Sequence, residues 1–254
     1  MQQSDACNER AAGLVLEKCD SGRTVWRFSS DKARLASIAA AYAETSNTRL
    51  CCSKADDLFV DEQLAAQYFE RGGSQWVYGE LTLEGCVTML QVLLSESVAT
   101  PTFLDVGSGV GQVVLSAALH GGVAQSIGVE IVPARHSVAE RALTALASIE
   151  RAVEHRVLLR CSDIMTESAL ISDVSHVFIA NAVWSDELTA QVLLHVVAQC
   201  AHICAIATLK EPSADVLRAA GLTLRRTVLV AVSWDQDGWP LHVYQSSTCL
   251  QDAG

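Results

Sequence analysis

The sequence predicts an α/β protein: a doubly wound, mostly parallel sheet of seven strands preceded by a small, mainly helical lobe. Three observations carry that expectation. From residue 101 onward, short runs rich in Val, Ile and Leu alternate with helical patterns, as βαβ units do when both sheet faces are covered. The first run, FLDVGSGVGQVVL (103–115), passes through Asp105 into glycines at alternate positions, the mark of a tight strand-to-helix turn. A chain of 254 residues, half of them hydrophobic, can bury a core for one large domain and a smaller lobe.

The elements follow in order. Residues 1–76 form the expected lobe, with helical patterns at 33–46 (ARLASIAAAYAETS) and 61–70 (DEQLAAQYFE) and a loop at Gly72-Gly73-Ser74. Residues 77–254 form the second domain. Its strand-like runs are TFLDVG (102–107), SIGVEI (126–131), RVLLRC (156–161), HVFIAN (176–181), ICAIATL (203–209), RRTVLVAVSW (225–234) and LHVYQSS (241–247). A helix is expected over 111–120. A second begins at Pro133, a residue suited to the first helical position. A third spans 185–200, with Ser185 as N-cap and acids in its first turn. The last two strands follow each other closely and are expected to pair as an antiparallel hairpin at one edge.

Bulk properties narrow the function. No apolar stretch approaches the roughly 18 residues of a membrane span, and MQQSDACNERAAG lacks a signal-peptide core, so an intracellular protein without membrane contact is expected. Nine cysteines, an odd number, lack the density of a disulfide scaffold. Cys200, His202 and Cys204 lie close in sequence. Zinc requires a second ligand pair at suitable spacing and none follows, so buried thiols are expected and no metal. Net charge is −11, with 9 basic and 18 acidic side chains from residue 77 onward. An acidic surface repels nucleic acid and attracts basic proteins.

Gly107, Gly109 and Gly111 follow Asp105 and feed a helix whose first N–H groups lack helical partners. Open α/β sheets bind ligands at this carboxyl edge. The dinucleotide fingerprint fails, because Gln112 stands where its third glycine belongs, and no Lys-Ser or Lys-Thr follows for a phosphate loop. Glu130 ends the next strand, 19 residues after Gly111, where a carboxylate can accept both ribose hydroxyls. Asp163 closes the third strand, within reach of an adenine amino group. No Arg or Lys sits in the turn to meet phosphate. The expected ligand is a nucleoside with a cationic tail, and S-adenosylmethionine has that character.

Several segments together resemble the Dot-one class of histone lysine methyltransferases, which lack the SET fold. They are VYGELTLEGCVTMLQVL (77–93), FLDVGSGVGQVVL (103–115), IGVE (127–130), VFIANAVWSDELTAQV (177–192) and VSWDQDGWP (232–240). The resemblance spans roughly residues 76–245. It implies a class I, Rossmann-like methyltransferase fold, with S-adenosylmethionine as cofactor and a lysine of histone H3 in nucleosomes as acceptor. Tyr78 and Glu80 would close over the methionine end. Asp105, Gly107, Gly109, Gly111 and Gln112 would hold the amino-acid part, Glu130 the ribose and Asp163 the adenine. Asn181 and Trp184 would line the lysine channel and the reacting methyl, Ser233 and Trp234 a second wall, and Tyr244 would add an aromatic from the last strand.

The chain departs from the family pattern in places. Leu81 stands where a threonine follows VYGE, with Thr82 one place later. A paired asparagine is reduced to Ala180-Asn181, and Ala182 and Val183 precede Trp184. No basic segment marks a DNA grip, since residues 1–76 carry 9 basic and 11 acidic groups; only weak or partner-assisted contact with DNA is expected. The resemblance implies a nuclear protein, and no motif specifies an oligomeric state. Only the VYGE, Asn181–Trp184 and Ser233-Trp234 segments separate a histone acceptor from a non-histone protein or small molecule. The thinned asparagines and aromatics also leave open a module that binds cofactor or histone without turnover. Methyl transfer from a sulfonium is an in-line displacement needing orientation and a deprotonated amine, which a narrow apolar channel favours by desolvation.

Overall fold

The computed structural model describes residues 14–18, 24–28, 36–41, 79–95, 100–120 and 123–247. Strands β1 (Leu14–Lys18) and β2 (Thr24–Phe28) pair antiparallel, Leu14 opposite Phe28 and Lys18 opposite Thr24. The sequence reading held no strand in this part of the chain, although TVWRF has the branched and aromatic content that suits one. Residues 36–41 are helical, inside the helix expected over 33–46. Ile38 and Ala41 are buried with Val110, Leu115 and Leu146. The pattern at 61–70, the loop at 72–74 and Tyr78 lie outside the described residues.

The main sheet has seven strands: β3 (Thr102–Val106), β4 (Gln125–Glu130), β5 (Val157–Cys161), β6 (His176–Ile179), β7 (Ala205–Thr208), β8 (Leu222–Val230) and β9 (Trp239–Ser246). Their order is β5-β4-β3-β6-β7-β9-β8. The first five are parallel, while β9 runs antiparallel to both β7 and β8. The expected hairpin is present, but its second strand lies inside and β8 forms the edge. The winding reverses at β3, between β4 and β6, and that reversal opens a crevice at the carboxyl ends.

Helices α1 (Leu83–Leu93), α2 (Gln112–Leu119), α3 (Pro133–Ile149), α4 (Asp186–Gln199) and α5 (Ala214–Ala219) accompany the sheet. Side chains alternate along β3 and sort the core into two faces. Phe103 packs with Cys86, Met89 and Leu90 of α1 and Val113 of α2. Leu104 and Val106 pack with Val192, Leu193 and Val196 of α4. Alternation puts Asp105 on the face of Phe103. Ser185 caps α4 as expected, accepting from Leu188 N at 3.1 Å. Thr82 caps α1, accepting from Gly85 N at 3.1 Å.

Strand β8 ends at Val230, earlier than the run to 234 predicts. Residues beyond it turn to another partner. Thr82 N donates to Ala231 O at 3.0 Å, Leu81 bridges Val232, and Ser233 N donates to Glu80 O at 2.9 Å. No helix among the described residues is long and apolar enough to cross a membrane. Cys200 and Cys204 are buried free thiols.

Candidate functional site

The glycine turn needs its glycines. Gly107, Gly109 and Gly111 have φ of 77°, 55° and 86°, the left-handed region where a Cβ is strained. The turn also consumes its own donors. Gly107 N and Ser108 N both reach Val129 O, Gly111 N reaches Ser108 O at 2.8 Å, and Gly109 N donates to Glu130 Oε2 at 2.7 Å. A phosphate cradle presents such N–H groups to its ligand. Here protein oxygens hold them, which gives a second reason, beside the missing cations, why the ligand carries no phosphate at this turn.

The strand register brings the carboxylates together. Val106 is opposite Val129, and Glu130 is opposite Cys161. Gly107, Glu130 and Asp163 therefore lie within two residues of one level at the sheet edge. Glu130 is 3% exposed, and its Oε1 accepts from Val132 N at 2.8 Å. Each carboxylate oxygen keeps a second lone pair, so this anchoring still leaves acceptor capacity for ribose hydroxyls. Asp163 is half-buried and caps a short 3-10 turn, accepting from Met165 N at 3.0 Å. Asp105 is 2% exposed, and its Oδ1 has no hydrogen-bond partner. Burial, with the nearby Glu130 charge, holds its carboxyl well above the usual carboxylate range. A buried carboxylate oxygen without a partner, beside a turn stripped of Cβ atoms, fits the ammonium of S-adenosylmethionine.

Gln112 ties the turn to the segment after Tyr78: its Nε2 donates to Leu81 O at 2.5 Å and lies 3.9 Å from Cys86 Sγ. Burial pushes that thiol up to about 12, so it stays neutral. The same segment docks on the strand-end residues 231–234. Glu80 N donates to Ser233 Oγ at 3.0 Å, and a Cβ on Gly79 would lie 2.3 Å from Trp234 Cε3. Thus two stretches singled out separately in the sequence, Gly79-Glu80 and Ser233-Trp234, form one contact. Leu81, the departure after Glu80, is buried, and the hydroxyl one place later caps α1.

Beyond β6, Trp184 lies half-buried over the turn; a Cβ on Gly107 would meet its Cζ2 at 3.6 Å. Asn181 is fully buried, and its amide is engaged by backbone. Its Nδ2 donates to Lys210 O at 3.0 Å, and its Oδ1 accepts from Leu209 N and Lys210 N, both at 2.9 Å. The carbonyl's two lone pairs are therefore taken, and the residue joins the ends of β6 and β7. Trp234 is 38% exposed and meets Trp239 edge-on, centroids 5.8 Å apart. Tyr244 is fully buried in mid-β9, on the face packed against α4, opposite the Asp105 face. Burial raises its hydroxyl to about 12, and it serves the core as placed.

The sequence reading missed Lys210 and Trp239. Lys210 Nζ donates to Trp184 O at 3.1 Å and pairs with Asp186 Oδ1 at 2.6 Å. Trp239 Nε1 donates to Leu209 O at 2.9 Å. The signal available for Lys210 was the one that found Asp105, Glu130 and Asp163: a polar residue closing an apolar run at the sheet's carboxyl edge. Among the described residues no cluster of three or more His, Cys, Asp or Glu could hold a metal.

The family model for histone methylation protein DOT1 matches residues 58–220. No curated protein matches the chain. Three solved structures are similar to parts of the chain at low identity. The methyltransferase domain of bacterial CtHen1 is 16% identical over 65% of this chain and 100% of its own, with a TM-score of 0.49. A putative tRNA (m1A22) methyltransferase from Streptococcus pneumoniae is 16% identical over 62% and 69%, TM-score 0.47. TrmK from M. capricolum, in complex with S-adenosyl-homocysteine, is 10% identical over 63% and 68%, TM-score 0.45.

Proposed function

The chain belongs to the DOT1 family of histone methylation proteins, and from that premise we propose that it transfers a methyl group from S-adenosylmethionine to a lysine side chain of histone H3 in nucleosomes, within the nucleus. S-adenosylmethionine-dependent methyl transfer follows from the family; the acceptor, its lysine and the nuclear site are the proposal. The observation that carries it is the contact of Gly79-Glu80 with Ser233-Trp234, bonded through Leu81 and Gln112 to the glycine turn. With Trp184 near Gly107 and Trp234 near Gly79, it supports two aromatic groups beside the proposed cofactor site.

When bound, the cofactor supplies the electrophilic methyl, and the protein supplies orientation. Asp105 would pair with the ammonium, Glu130 would accept from the ribose hydroxyls and Asp163 from the adenine amino group. Tyr78 and Glu80 would cover the methionine end. Trp184 and Trp234 would wall the acceptor channel, where exclusion of water disfavours the lysine's ammonium form and leaves the amine free to attack. Asn181 would act by positioning, since its carbonyl is already engaged. That engagement also favours a second reading, a module that binds cofactor without turnover.

Calorimetry with S-adenosylmethionine and a transfer assay on nucleosomes, free histones and small acceptors separate the readings. Histone H3 lysine methylation on nucleosomes is expected, lost in Trp184→Ala and Trp234→Ala. Transfer confined to another acceptor, or cofactor binding without any transfer, overturns the proposal.

A further inference from the structure

We propose that Lys210 is a positioning residue for methyl transfer: its ammonium, held by Asp186, fixes the Trp184 carbonyl and so sets the Trp184 indole over the Gly107 turn. The inference rests on the reading of this edge as the transfer site. Trp184 sits in the loop between β6 and α4. That loop is tied to the end of β7 by Asn181's bonds to Leu209 and Lys210 and by the bond from Lys210 Nζ to Trp184 O at 3.1 Å. The two attachments differ in kind. Asn181 fixes the loop's first residues against backbone. Its backbone carbonyl also accepts from Trp184 N at 3.1 Å, while Lys210 holds Trp184 from the other side, through the Trp184 carbonyl.

The placement is informative electrostatically. The Lys210 ammonium stands at the first turn of α4, the helix end where the dipole disfavours a cation. Its partner Asp186 offsets this, at 2.6 Å, but the pair is open to water, with side-chain exposures of 39% and 80%. An ion pair so exposed adds little to fold stability. The bond to the carbonyl is what the arrangement achieves. The neighbouring Leu209 carbonyl accepts the Trp239 indole N–H, and Trp239 in turn meets Trp234. The dipeptide Leu209-Lys210 thus connects Trp184 on one side with the Trp234 group on the other, and a displaced Lys210 side chain moves one wall relative to the other.

The test uses Lys210→Met, which keeps length and loses the donors, with Lys210→Arg as rescue, in the full chain. Trp184 is followed by fluorine NMR of 5-fluorotryptophan protein, its resonance assigned by Trp184→Phe. In Lys210→Met the Trp184 resonance is expected to shift or broaden and to recover in Lys210→Arg, with an unchanged melting midpoint. On an accepted substrate, kcat falls about tenfold or more while KM changes little, because a misplaced wall costs rate rather than binding. An unmoved Trp184 resonance in Lys210→Met overturns the inference, whatever the activity. So does a shifted resonance with kcat unchanged on an accepted substrate. If wild type binds cofactor but methylates nothing, the proposed function fails, and the resonance still decides whether Lys210 positions Trp184.

Discussion

Asp105 keeps a carboxyl oxygen buried and unpartnered, and Glu130 adds a second acid close by. Both effects disfavour its charge, burial most, so the ligand-free protein holds a proton there above the ordinary carboxylate range. A group whose folded pKa is raised contributes stability that is present at low pH and lost as pH rises through the folded value. Pairing with an ammonium reverses the balance and ionises the carboxyl. Cofactor binding is therefore expected to release a proton in the window between the ordinary carboxylate range and the raised one, and affinity is expected to rise with pH across it. Titration calorimetry in two buffers of different ionisation enthalpy measures the release; Asp105→Asn should remove the buffer dependence and weaken binding. Equal heats in both buffers for the native protein would show that Asp105 does not meet the ammonium. Backbone N–H groups of Gly109 and Val132 hold both oxygens of Glu130, so it braces the turn.

At the scale of elements, the junction between α1 and the residues after β8 depends on two glycines that fail differently. A Cβ on Gly85 would lie 2.1 Å from Ala231 O, and backbone cannot step aside. A Cβ on Gly79 would lie 2.3 Å from Trp234 Cε3, and that ring is partly exposed and can move. Gly85→Ala is therefore expected to destabilise the fold by about 1–3 kcal/mol, the range for overpacking. Gly79→Ala should melt near wild type yet lower kcat, because it displaces Trp234, the proposed channel wall. Thermal melts and transfer kinetics on both variants check this, and the reverse pattern would refute the junction's role. The sequence made the five parallel strands legible because such strands are short, largely apolar and separated by helical spacing. It did not reveal the end of β8 at Val230, because residues 231–233 remain strand-like but pair with Glu80–Thr82, a partner about 150 positions away. Likewise the glycines, Glu130 and Asp163 stand at strand ends that pattern alone locates. Asn181's bonds to Leu209 and Lys210, and Tyr244's place on the far face, depend on which strands become neighbours.

Across the whole molecule, the sheet carries a buried titratable group at each edge, and the two respond to acid in opposite senses. Asp105 lies near the carboxyl edge. His176 opens β6 at the other, fully buried, its Nδ1 2.9 Å from Ser175 Oγ. Burial lowers the imidazole's pKa from 6.5 to about 4. A histidine with a depressed folded pKa must stay neutral for the fold to hold, so below the unfolded value the unfolded chain binds more protons. Stability then falls as pH drops from about 6.5 toward 4. A shift of this size corresponds to about 3 kcal/mol over the full window. Two terms oppose it. The net charge of −11 shrinks toward the pI of 5.0, which relaxes self-repulsion, and Asp105 gains its proton in the ligand-free protein. The His176 contribution must therefore be read as a difference. Denaturant unfolding of wild type and His176→Phe at each pH isolates it, because both opposing terms are common to the two proteins. The stability gap between the two is expected to move in favour of the variant by roughly the same 3 kcal/mol between pH 7 and pH 4. A gap that stays constant over that range would mean that His176 titrates alike in the folded and unfolded chains, and that burial at this edge does not govern its charge.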